Sequence, residues 1–267
     1  TARLCADHQP GFEAEVAKVL AIAPKWGEVY RVAGELAARN YRFDEAVTLA
    51  RRALELEPQN PRSLSNLRLY LLRTGDEPAA RQALEASFKL DAFHKPTFNL
   101  LGMLDRLDTF VTVRDGDLIF RFDKSEAAVL QEYAIPLAHK ALDTFSKRYE
   151  FKYQGPILIE VFPRHDDFAV RIAGLPGMIG ALGVCFGRVV ALDSPKARDP
   201  GTFQWEATLW HEPAHVITIQ MSNQRVPRWL TEGVSEYEQK QARPEWARQM
   251  DIEFAELMVK DQVIKLS

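Results

Sequence analysis

The sequence predicts an α+β protein in two parts: an all-α helical solenoid over residues 1–107, then a mixed region with a small sheet and one chemically loaded helix over 108–267. Three observations carry this expectation. Positions repeat with a 34-residue period in the first part, apolar residues alternate with period two beyond Leu107, and a His-Glu-x-x-His stretch with a glutamate downstream sits in the second part. Composition permits it, since hydrophobic residues make up 46% and charged residues 27% of the 267, enough apolar material for a core.

Charge narrows the partners. With 34 Lys and Arg against 37 Asp and Glu and no basic stripe, the chain lacks the electrostatic footprint of a nucleic-acid binder, and none is expected. Its longest uncharged stretch, Ile172 to Gly187, has 16 residues and carries Gly and Pro throughout. That is short of the ~20 apolar residues of a membrane helix, so no membrane span is expected and the chain reads as soluble. Cys5 and Cys185 stand too far apart and too isolated for a disulfide framework or a thiolate metal site.

The repeat sets the order of the first part. Tyr30, Leu64 and Phe98 are 34 apart, as are Ala33, Leu67 and Leu101, and Ala46 with Ala80 keeps the same register. Within Gly27 to Asn60 the apolar positions Tyr30, Ala33, Leu36 and Ala37, then Ala46, Leu49, Ala50, Ala53 and Leu54, predict two antiparallel helices around Arg39-Asn40-Tyr41-Arg42. Gly34, Ala46 and Ala53 let them approach closely, and Pro58 forces the turn into the next unit. Phe12 to Pro24 reads as the second helix of an earlier unit, Pro61 to His94 as a degenerate third, and Lys95 to Leu104 as the first helix of a last one. Phe43-Asp44-Glu45-Ala46 through Ala53 to Asn60 resembles the tetratricopeptide repeat family. The resemblance implies a concave surface for a peptide or protein partner; otherwise so few units make a helical spacer packed on the rest.

Beyond Leu107, Phe110 to Val113 and Leu118 to Phe122 flank Asp115-Gly116, a hairpin signal. Ser125 is expected to cap a long helix reaching Tyr149, and Pro156 to Pro163 reads as a buried strand. Gly183 to Phe186 and Arg188 to Leu192 form an edge strand or a hairpin. Between the strand regions, Ala173 to Gly180 holds three glycines and a proline, a lid or a connector.

The chemistry gathers at His211-Glu212-Pro213-Ala214-His215. On a helix, side chains at i and i+4 share a face, so both imidazoles reach one ion, and Glu212 is turned about a hundred degrees away, beside the open coordination position, where a general base is needed. With sixteen residues between it and His215, room for a turn at Ser222-Asn223-Gln224 and a helix start near Pro227, Glu232 supplies a third ligand. One turn on, Glu236 can accept the spare N–H of a ligating histidine. Pro213 removes an N–H that would bond Leu209, so the helix is expected to kink or to start close to Trp210. Trp205, Trp210 and Trp229 read as core, Tyr237 as packed, and His8, His94, His139 and His165 as surface or capping residues.

His211-Glu212-x-x-His215 together with Trp229-Leu230-Thr231-Glu232-Gly233 resembles the zincin metallopeptidases, specifically the gluzincin branch of the peptidase MA clan. The resemblance covers residues 108 to 240 or so and implies a zinc hydrolase. His211, His215 and Glu232 would hold Zn2+, Glu212 would serve as catalytic base on a peptide or protein substrate, and Glu236 would support a ligand. In that clan a Tyr or His elsewhere meets the oxyanion; Tyr133, His139, Tyr149, Tyr153 and Tyr237 all stay open for the part. Clan domains commonly continue with a helical region past the third ligand, so the second part is expected to be C-terminally incomplete. Tetratricopeptide repeats joined to such a domain are familiar in bacteria, with periplasm and cytoplasm equally open. The alternative function is a degenerate, inactive peptidase-like scaffold for protein–protein interaction, with Pro213 as its motive.

Overall fold

The computed structural model describes residues 8–177 and 180–263; Cys5 and the pair Met178-Ile179 of the glycine-rich loop lie outside the described residues. Six helices come first: α1 (Gln9–Ile22), α2 (Glu28–Arg39), α3 (Phe43–Leu56), α4 (Pro61–Thr74), α5 (Glu77–Leu90) and α6 (Lys95–Leu107). Their boundaries follow from local chemistry. Asn60 Oδ1 accepts from the N–H groups of Arg62 and Ser63, Asp76 caps α5 and His94 caps α6, each ahead of a proline in the first turn. Small residues set the α2–α3 crossing: a Cβ on Gly34 would lie 3.4 Å from the Ala46 carbonyl oxygen.

Next comes the hairpin of β1 (Val111–Asp115) and β2 (Leu118–Phe122), antiparallel and closed by Gly116 at φ +57°. Helix α7 (Ala127–Arg148) carries the chain over to β3 (Ile157–Phe162), which lies parallel to β2, as a long crossover allows. Ser125 does not cap α7. Its N–H and hydroxyl both donate to Asp123 Oδ1, a tighter local turn that leaves Glu126 at the helix start. Helix α8 (His165–Ala173) leads to the hairpin of β4 (Gly183–Cys185) and β5 (Val189–Asp193).

The sheet order is β1-β2-β3-β5-β4, with β5 parallel to β3. Of the last hairpin, β5 is therefore internal and buried at every residue, whereas β4 is an edge. Helices α9 (Trp205–Met221), α10 (Arg228–Ala242) and α11 (Arg248–Val259) complete the chain. None of the described helices is long and apolar enough to cross a membrane.

One continuous cluster of buried side chains runs from Phe12 in α1 to Ile219 in α9, so the helical run packs on the sheet region. Buried cations stitch the junction. Arg171 of α8 donates from Nε to Glu160 on β3 at 2.7 Å and from Nη2 to the Leu72 carbonyl of α4 at 2.9 Å. Arg73 places its guanidinium over Phe43 and Phe186, and burial pushes it down to about 10. The start of the glycine-rich loop is tied to α6, where Asn99 Nδ2 donates to the Gly174 carbonyl.

Candidate metal centre

Helix α9 is buried along nearly its whole length, sandwiched among α7, α10 and the β4–β5 hairpin. It neither starts near Trp210 nor ends at Pro213. It runs uninterrupted from Trp205 to Met221 with Pro213 inside, so the one-turn spacing of His211 and His215 is preserved. Asn223 and Gln224, both at positive φ, fold the chain back, and α10 begins directly after Pro227. That return brings Glu232 opposite the two imidazoles.

Three ligand atoms converge. His211 Nε2 lies 3.0 Å from His215 Nε2, and Glu232 Oε2 lies 3.3 Å from His215 Nε2 and 3.6 Å from His211 Nε2. A circle through three such atoms has a radius of about 1.9 Å, just inside the ~2.0–2.1 Å of zinc–nitrogen and zinc–oxygen bonds. The three atoms are therefore close enough together to hold one ion. Among the described residues this trio is a group that could hold a metal.

The spare nitrogens are engaged too. His211 Nδ1 faces Glu236 Oε1 at 3.5 Å, the place the helical spacing assigns it. His215 Nδ1 is 2.7 Å from Thr231 Oγ1, which is 2.6 Å from Thr218 Oγ1; Thr218 in turn donates to the Ala214 carbonyl at 3.0 Å. With Thr218 donating to Ala214, every group is satisfied when His215 Nδ1–H donates to Thr231 and Thr231 O–H to Thr218. The tautomer that results leaves His215 Nε2 free for a metal.

Glu212 is 4% exposed, and its Oε2 has no hydrogen-bond partner, an unusual state for a buried carboxylate oxygen. Burial raises its pKa. Burial pushes His211 down, but the hydrogen bond to Glu232 and the charges of Glu212 and Glu236 outweigh it and hold the imidazole above 6.5. The same histidines hold the Glu232 carboxyl far below its usual range. Beside Glu212, β4 comes so close that a Cβ on Gly183 would fall 2.5 Å from Glu212 Oε1 and 2.6 Å from Thr208 Cγ2. A cleft of about 1210 Å³ opens over the group, floored by His211, Glu212 and Glu232 and walled by Gly180 to Gly183, Trp246 and Ile252.

Several expectations need correction. Trp210 is core, edge-on to Phe145 and donating from Nε1 to the Glu238 carbonyl, but Trp229 is 63% and Tyr237 55% exposed, because α10 turns that face outward. Tyr149, one of the open aromatic candidates, spends its hydroxyl on Glu238 at 2.6 Å. A phenol that spacing did not suggest also reaches the centre, Tyr41 from the turn between α2 and α3. Its hydroxyl is 3.5 Å from Glu232 Oε1, its ring is buried, and Arg228 lies over it at 5.9 Å. Burial raises its pKa. Tyr41, Thr231, Thr218 and Gly183 are the site residues that spacing did not single out as such.

No protein-family model matches the chain, and no curated protein or solved structure matches it either.

Proposed function

We propose that this chain is a zinc-dependent peptidase of the zincin type, hydrolysing a peptide or protein substrate with Glu212 as general base. The observation that carries the reading is the convergence of His211 Nε2, His215 Nε2 and Glu232 Oε2 beside a buried carboxylate whose Oε2 has no partner. His211, His215 and Glu232 would hold the ion, and the mixed nitrogen and oxygen donor set with an open position suits zinc. Bound there, zinc supplies Lewis acidity to an attacking water and a scissile carbonyl.

The remaining work belongs to the chain. Glu212 Oε2 accepts a proton from water as its oxygen bonds to the carbonyl carbon, then returns that proton to the amide nitrogen as the C–N bond breaks. The unpaired edge of β4, at the wall of the cleft, suits an extended peptide through main-chain hydrogen bonds. Helix α9 continues through Pro213 and keeps His211 and His215 one turn apart, which supports the active reading.

Glu212→Gln tests the mechanism. Turnover of a peptide library should vanish while metal content by mass spectrometry stays at about one zinc per chain and is lost in His211→Ala; hydrolysis that survives Glu212→Gln refutes the general-base role.

A further inference from the structure

The repeat register exposes an anomaly at the metal centre. Tyr41 and Gly75 are 34 residues apart, the period of the helical run, and the two turns close with the same hydrogen bonds. Tyr41 N–H donates to the Ala38 carbonyl and Gly75 N–H to the Leu72 carbonyl, both at 3.3 Å; Arg42 N–H reaches Ala37 and Asp76 N–H reaches Leu71, both at 3.0 Å. Both residues are left-handed, Gly75 at φ +83° and Tyr41 at φ +62°. Glycine is the ordinary occupant of that position because it has no Cβ to clash. A bulky tyrosine there is strained, and such strain persists where the surroundings over-determine it and gathers at functional sites.

The surroundings here are the metal centre. Phe43 meets the Tyr41 ring edge-on at 5.9 Å, and Arg228 of α10 covers it. The hydroxyl is thereby aimed at Glu232 Oε1, the oxygen turned away from the histidines, at 3.5 Å; Arg228 Nε stands at the same 3.5 Å from that atom. Glu232 itself is half-exposed on a helix whose residues Trp229 and Leu230 face solvent, and on that helix the partner of its Oε1 is the exposed Arg228.

We infer that Tyr41 is a positioning residue by which the helical run completes the metal centre: it holds Glu232 Oε1 so that Oε2 is presented to the ion. The inference rests on the metal-centre reading above. It gives the first helical part a task inside the site, distinct from capturing a partner, and it couples metal loading to the α2–α3 turn.

Cobalt(II) titration, with affinity from competition against a chromophoric chelator and the visible spectrum as a second readout, tests this on wild type, His211→Ala and Tyr41→Phe. Tyr41→Phe keeps the ring and its packing and removes only the hydroxyl. Cobalt affinity should drop roughly tenfold or more, the scale for a lost ligand support, with an altered visible spectrum and an unchanged melting temperature of the metal-free protein. Hydrogen exchange on wild type supplies an independent readout: the amides of Tyr41 and Arg42 should slow when metal binds, and this decides the matter should Tyr41→Phe fail to fold. Wild-type binding abolished by His211→Ala, yet with Tyr41→Phe within about twofold in affinity and unchanged in spectrum, overturns the inference and leaves the centre intact. Wild-type binding indifferent to His211→Ala overturns the metal-centre reading and this inference with it.

Discussion

Thr231→Val isolates the support behind a single ligand. Thr231 is fully buried and joins His215 Nδ1 to Thr218 at 2.7 and 2.6 Å. Valine fills nearly the same volume without the hydroxyl. Thr218 keeps its bond to the Ala214 carbonyl, so the loss falls on His215. In the metal-free protein that histidine can move its proton to Nε2, where Glu232 Oε2 waits at 3.3 Å, and so avoid a stranded donor. A metal on Nε2 removes that escape and forces the proton onto an unpartnered, buried Nδ1. An unsatisfied buried donor costs about 1–3 kcal/mol, of which each 1.4 kcal/mol is about tenfold in affinity. Zinc affinity should therefore fall about 10–100-fold, while urea unfolding of the metal-free protein changes little. Competition titration beside a chelator reads the first quantity. Affinity within about twofold of wild type, or a loss mirrored fully in the metal-free stability, refutes the reasoning.

Other perturbations have equally definite signs. Gly183→Ala must push Glu212 Oε1 aside, because the new Cβ would lie 2.5 Å from it; kcat should fall on the order of a hundredfold, as small displacements of reacting groups do, with metal content by mass spectrometry unchanged. Zinc affinity should weaken as pH falls, and the decline should begin above 6.5, because the neighbouring carboxylates raise His211 and its proton must leave before it can ligate; titrations on either side of 6.5 check the sign. Arg171→Met strands Glu160, which is fully buried with Arg121 as its next cation at 3.5 Å, and should cost about 3–5 kcal/mol in denaturant unfolding.

What could be read from the sequence was what is local. The i, i+4 histidines and the Asp115-Gly116 hairpin are set by helix and turn geometry within a few residues, Glu232 by the return of the very next helix, and the structure places them accordingly. The 34-residue period likewise marked out the helical run, and at α4, α5 and α6 the start is set by a short-range side-chain cap. Tyr41 was not legible, because 191 positions separate it from Glu232 and only docking of α3 against the α9–α10 turn unites them. Thr231 looked like one letter of a motif; its hydroxyl gained a task only when α10 packed on α9. Nor could alternation alone tell that β5 is internal, since that depends on which neighbour β3 takes.

The brevity of β4 sets how a substrate would be gripped. An extended segment laid along three residues gains about two main-chain hydrogen bonds. At a net ~0.5–1.5 kcal/mol each, these fall well short of the ~8 kcal/mol that micromolar binding requires. Such a rail fixes direction and register but contributes little to affinity. Discrimination among sequences would then arise where side chains meet the cleft lining, which includes Trp246 and Ile252. Substitutions at those two residues would shift KM between substrates, whereas changes along β4 would alter every substrate alike.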